Sequence, residues 1–161
     1  MAFKSTVKGR GQKILIGLAI AFVAGLFALG FFAAIAVYGW KKAIKAGNET
    51  ATIQNMRTIA GTEVQYFRLH SGTFATLDQL IAEQMLTSKF AGNHPVADGY
   101  VLTLKLAGQT DPGSSYTLNG DPVDDDYRAK HFYLDSSSAA IHVNPDKEAG
   151  PNDPLLPDGK R

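Results

Sequence analysis

The sequence predicts an α+β fold in which a long N-terminal helix packs on a small antiparallel sheet of about four strands. Three observations predict it. An uncharged run of 27 residues, Ile14 to Trp40, is fenced by Lys13 and by Lys41-Lys42. No proline occurs before Pro95, so the helix that begins there can run on to about His70. From Tyr100 onward the apolar residues change from a helical period to a period of two.

The uncharged run is about 40 Å long at about 1.5 Å per helical residue, enough to cross a hydrocarbon layer of about 30 Å. Residues 14–40 therefore read as a transmembrane helix, with 1–13 as a basic cytoplasmic tail. A secretory signal is the rival reading, since Ala34-Ile35-Ala36 has the form of a cleavage site. Signal apolar cores, however, run about 7–15 residues, and the length favours a retained anchor. Tyr38 and Trp40 stand where amphipathic rings mark a membrane interface. Within the span Gly17, Ala21 and Gly25 recur every fourth residue, with Ala24 and Ala28 alongside. This spacing leaves one helix face nearly flat and lets a second helix approach closely, although small residues are also common in any membrane helix.

Beyond the membrane the same helix carries Ile53, Met56, Ala60, Val64 and Phe67 at steps of three and four. That is an apolar stripe suited to lying across a sheet. Ile59 and Tyr66 flank the stripe, and Glu63 sits beside it, expected to pair with Arg57, Arg68 or a backbone amide. Ser71-Gly72 ends the helix. Thr76 is placed to cap a second, short helix, with Gln79 completing a capping box; Leu77, Leu80, Ile81 and Met85 supply its buried side. Residues 91–99 read as a connecting loop.

In the strand region Tyr100, Leu102, Leu104 and Leu106 alternate with Val101, Thr103 and Lys105, and Ser115 to Asn119 forms a second strand. Residues 131–134 and 140–143 form a hairpin. Pairing Phe132 with Val143 and Leu134 with Ile141 puts all four on one face. The proline-rich end, 151–161, reads as an irregular tail, so the globular domain spans 41–150 and includes the helix 41–70.

Charge is divided unevenly. Residues 1–45 hold seven Lys or Arg and no acid, whereas 46–161 hold nine basic and fifteen acidic residues. Basic clusters beside the span suit anionic headgroups, and the acidic domain argues against a nucleic-acid partner. The flanking positives favour a cytoplasmic N-terminus, hence an extracytoplasmic domain. The absence of cysteine excludes disulfides, thiolate metal sites and a thiol nucleophile. No Gly-x-Ser-x-Gly elbow, phosphate-binding glycine loop or His-Glu-x-x-His helix occurs, and no cofactor or catalytic residue is expected. His131 and His142, diagonal neighbours on the outward face with Asp135 nearby, have the right chemistry for a divalent ion, but strand histidines of this kind are usually plain surface residues. Asp121, Asp124, Asp125 and Asp126 offer oxygen ligands without the glycine and spacing of a calcium loop.

The ordered series Ala33-Ala34-Ile35-Ala36, Gly47-Asn48-Glu49, Met56-Arg57-Thr58-Ile59, Glu63-Val64 and Tyr66 resembles the stem helix of type IV pilins and type II secretion pseudopilins. Gly72-Thr73-Phe74-Ala75-Thr76-Leu77, Gly99-Tyr100 and Phe132-Tyr133 with Asp135 extend the resemblance over about residues 30 to 145. It implies a non-enzymatic subunit of a surface filament or membrane-anchored assembly, seated in the bacterial cytoplasmic membrane and associating with itself or other pilin-like subunits. The chain departs from that family in its span. Members carry a leader glycine with a glutamate five residues beyond the cut, and here the corresponding residues after Gly9, Gly11 and Gly17 are Ile14, Ile16 and Phe22. The family's proline kink is missing as well. A single-pass anchored binding domain that does not polymerise is the alternative expectation.

Overall fold

The computed structural model describes residues 6–108, 115–123 and 129–157. The chain divides into two compact units at Ile44 and Lys45. One helix, α1 (Thr6–Leu69), contributes to both. In the second unit its later turns pack with a five-stranded antiparallel sheet, so the class is α+β and the sheet has one strand more than expected. The strands form a meander in chain order: β1 (Val96–Ala97), β2 (Tyr100–Ala107), β3 (Ser115–Pro122), β4 (His131–Asp135) and β5 (His142–Asn144). A second helix, α2 (Leu77–Ala82), and a 3₁₀ turn (Ser88–Phe90) fill the connection between α1 and the sheet.

The extra strand falls in the stretch 91–99 that reads as a loop. Val96 pairs with Val101 and Ala97 with Tyr100, leaving a two-residue hairpin turn at Asp98-Gly99. Both turn residues have positive φ, 52° and 76°. This is the turn that Asp-Gly favours, because its twist matches that of the flanking strands. Asn55 Nδ2 and Lys89 Nζ both donate to Asp98 Oδ2, at 2.8 and 2.7 Å, and tie the turn to α1 and to the 3₁₀ turn.

The sheet's core face is formed by Tyr100, Leu102, Leu118, Phe132 and Leu134, all buried. Against it α1 places Met56, Ile59 and Ala60, with Ile53 packed at the margin. At Gly120 on β3, α1 lies close against the sheet. A Cβ built there would stand 3.1 Å from both Thr52 Cγ2 and Met56 Sδ. Thr52 is branched and fully buried, so it cannot swing aside easily. Gly120→Val is accordingly expected to destabilise the domain by about 1–3 kcal/mol, the usual cost of overpacking, read as a lower urea midpoint at unchanged slope.

The expected stripe on α1 needs correction. Met56 and Ala60 are buried and Ile53 and Phe67 half-buried, but Val64 is 41% exposed. The buried face instead runs through Thr52, Met56, Ile59, Ala60, Thr62, Glu63 and Tyr66. At about 100° per residue, this is a rotation of roughly 80° from the predicted stripe. Thr62 can turn inward because its hydroxyl donates to the Thr58 carbonyl at 2.9 Å, whereas the buried Thr52 hydroxyl finds no partner.

Other elements match expectation. Thr76 caps α2 and Gln79 closes the capping box. Phe132 pairs with Val143, which is the anticipated register of β4 with β5. The tail is irregular in type yet docked. Val143 N–H donates to the Pro154 carbonyl at 2.9 Å and Leu156 N–H to the Ile141 carbonyl at 2.7 Å, so residues 154–156 cover the free edge of β5.

Candidate functional site

Two regions could carry function: the apolar first part of α1, and polar groups on the surface of the second unit. Along α1 the large apolar residues Leu15, Leu18, Phe22, Phe27, Phe31 and Trp40 are all more than half exposed. The most apolar stretch of this candidate span buries none of its residues. Among the described residues this is the one helix long and apolar enough to cross a membrane. Nothing lies within 4 Å of a Cβ built at Gly17 or Gly25, and Ala21 and Ala24 are likewise exposed. The expected packing stripe is thus unfilled within this chain as far as Ala24 and Gly25; the side chain of Ala28 lies outside the described residues. Phe31 and Phe32 meet edge-to-face at 6.2 Å further along the helix.

On the second unit the three candidate ligand groups, His131, His142 and Asp135, are not brought together. His131 and His142 do share the outer face of the sheet, because His131 pairs with Asn144 and His142 with Tyr133. Each is already engaged, however. His131 Nδ1 is 2.7 Å from Asp121 Oδ1, and His142 Nδ1 is 2.6 Å from the Asp153 carbonyl oxygen. Asp135 turns back on its own hairpin, accepting from Ser137 N–H at 2.9 Å and Ser137 Oγ at 2.6 Å. Those bonds hold its carboxyl below the usual range, led by the Ser137 hydroxyl. Among the described residues no three His, Asp or Glu side chains are grouped to hold a metal ion. Asp124, Asp125 and Asp126, the other candidate calcium ligands, lie outside the described residues.

A small cleft of about 260 Å³ opens beside β2, between Thr76, Asp78, His94, Thr103 and Lys105. Its polar groups are spent on structure: Asp78 Oδ1 accepts from Gly92 N–H at 2.9 Å, and His94 Nδ1 lies 3.1 Å from Thr103 Oγ1.

The unusual titratable group is Glu63. It is fully buried on α1. Its Oε2 accepts from Ala75 N–H at 3.0 Å, which fulfils the backbone-amide option rather than a pairing with Arg57 or Arg68. Its Oε1 has no hydrogen-bond partner. Burial pushes the carboxyl up to about 7, and the Ala75 amide offsets only part of that. The sequence showed a polar residue beside an apolar stripe; what it could not show was the rotation that makes this position the centre of the buried face.

Comparison with known proteins finds no matching family model, no matching curated protein and no matching solved structure.

Proposed function

We propose that the chain is a non-enzymatic, pilin-like subunit that works by assembly, anchored in the bacterial cytoplasmic membrane by residues 14–40 and presenting its α+β unit outside the cytoplasm. The observation that carries this reading is the first part of α1. From Ile14 to Trp40 it offers only uncharged side chains to its surroundings, and its exposed aromatic and aliphatic residues are the wrong surface for water and the right one for lipid. The docking of later α1 turns across an antiparallel meander agrees with the layout of the pilin-like family. The partners proposed are the bilayer and other spans of the same kind, meeting at Gly17, Ala21, Ala24, Gly25 and Ala28.

The chain contains no cysteine, which makes the test direct. Ala21→Cys introduces a single thiol on the small-residue stripe. Oxidation in native membranes is expected to give disulfide-linked dimers, and Gly17→Leu with Gly25→Leu in the same background is expected to abolish them. One observation favours a second reading. The span has no carboxylate to pair with a neighbour's amine, so the charged contact that registers pilin-like subunits is missing. A single-pass anchored binding domain that does not polymerise would show no cross-linked dimer before the leucines are introduced. The mass of the N-terminus in membrane fractions separates routes further, since a cut beside Gly11 would join the chain to the processed subunits.

A further inference from the structure

The connection between α1 and α2 is held at both ends by groups that can take up or release a proton. At one end Glu63, fully buried, accepts from Ala75 N–H at 3.0 Å, while its other oxygen meets no donor or acceptor. Ionised, that carboxylate would bury a charge with a single amide to stabilise it. Protonated, it leaves only one neutral oxygen unpaired, a much smaller cost. At the other end His70 Nε2 stands 3.0 Å from Glu83 Oε1 at the end of α2, and His70 Nδ1 stands 3.1 Å from the Tyr66 carbonyl oxygen. A carbonyl and an ionised carboxylate only accept, so both contacts are satisfied together only when both ring nitrogens carry hydrogen.

The chain between these two points is sharply bent. Ser71 and Gly72 both have positive φ, 55° and 83°, the first at a residue that adopts this conformation at some cost. The titratable groups facing the connection are few. Tyr66 on α1 stacks on the His70 ring at 3.7 Å and lies near both Glu63 and Glu83; Tyr116 on β3 lies near Glu63 and, beyond it, Asp135. Burial holds both phenols above their ordinary range, so both stay neutral near physiological pH. Neither can supply the positive charge that would hold Glu63 ionised.

We propose that Glu63, His70 and Glu83 form a proton-dependent clasp that fastens residues 70–83 to α1 in mild acid and releases them as protons are withdrawn. Both ends respond with the same sign. Loss of the Glu63 proton places an unpaired charge under the connection, and loss of one His70 proton removes a donor from either Tyr66 or Glu83. Release lifts Phe74 from Phe67 and Tyr116, whose rings it meets at 4.7 and 4.9 Å, and uncovers Leu77 and Leu80. Among the described residues the strands contain no buried carboxyl of this kind, and their His131–Asp121 pair lies on the outer face of the sheet, away from α1.

The test is amide hydrogen exchange on the full chain in detergent micelles, followed by mass spectrometry from pH 5.5 to 8.5 and corrected for the intrinsic exchange rate. Between pH 6 and pH 8, protection of peptides covering 70–86 is expected to fall at least tenfold further than that of peptides from β2, β3 and β4, whose loss follows the fall in global stability alone. Glu63→Gln, a substitution of nearly equal shape, is expected to flatten the part of the response near pH 7, and Glu63→Gln with His70→Gln to flatten it throughout. Protection of 70–86 that does not change with pH in the unmodified chain would overturn the proposal. So would an equal loss across the sheet, or a response that survives the double substitution.

Discussion

Phe132→Ala is expected to cost the α+β unit about 3–5 kcal/mol, the range for deleting a fully enclosed ring, and to leave it largely unfolded at modest urea concentrations. Phe132 is wholly buried on β4. It pairs with Gly120 on one side and Val143 on the other. Gly120 and Phe132 are paired on the core side of the sheet, where Thr52, Met56 and Leu102 crowd the glycine. Its ring also lies 5.7 Å from that of Tyr100, whose hydroxyl is anchored on the Lys130 carbonyl at 3.0 Å. A cavity here is bounded by strand backbone and an anchored ring, and such walls relax poorly. Val64→Ala supplies the contrast. If the predicted stripe lined the core, Val64→Ala would cost about 1–3 kcal/mol; with Val64 on the exposed side of α1, its loss is expected to stay within about 0.5 kcal/mol.

The contrast between those two residues shows what could be read from the sequence. Elements set by local chemistry were legible. The Thr76–Gln79 capping box depends on two side chains three positions apart, and the β4–β5 register follows from placing Phe132, Leu134, Ile141 and Val143 on one face. The Asp98-Gly99 hairpin was missed although Asp-Gly is a strong turn signal, because the runs on either side are short. The facing of α1 was not legible. An apolar moment assigns the core to the side richest in Ile, Val and Phe, whereas the sheet accepts the side that carries Thr52, Thr62 and Glu63. Thr62 can turn inward because its hydroxyl bonds its own helix, and Glu63 because an amide twelve residues ahead reaches back to it. That amide comes from the α1–α2 connection, a tertiary relation that no periodicity contains. The proposed membrane contacts stand differently again. Gly17, Ala21 and Gly25 are placed by the helix alone, and among the described residues nothing in this chain lies within 4 Å of a Cβ built at either glycine.

The unit is expected to become less stable as pH rises from about 4.5 to about 7, and Glu63→Gln is expected to remove most of that slope. The sign follows from proton counting. The Glu63 carboxyl has a folded value of about 7 against an ordinary 4.5, raised by burial. Between those values the folded chain holds a proton that the unfolded chain has released, so stability falls with pH across the interval. The contribution is complete below about 4.5, is lost as pH passes through 7, and changes no further above it. A shift of this size corresponds to about 3 kcal/mol. Glutamine keeps the carbonyl that accepts from Ala75 N–H and never ionises, so its stability should be nearly level over the same range. Below about pH 4.5 the two proteins are expected to be similar. At pH 8 the glutamine variant should be the more stable by about 1–3 kcal/mol, an inversion of the usual penalty for altering a buried residue. Urea midpoints of both proteins from pH 4 to pH 8.5 decide the matter. A glutamine variant weaker than the parent at pH 8 would mean that the buried oxygen left unpaired on Glu63 finds a donor in the folded protein and that its charge is accommodated there.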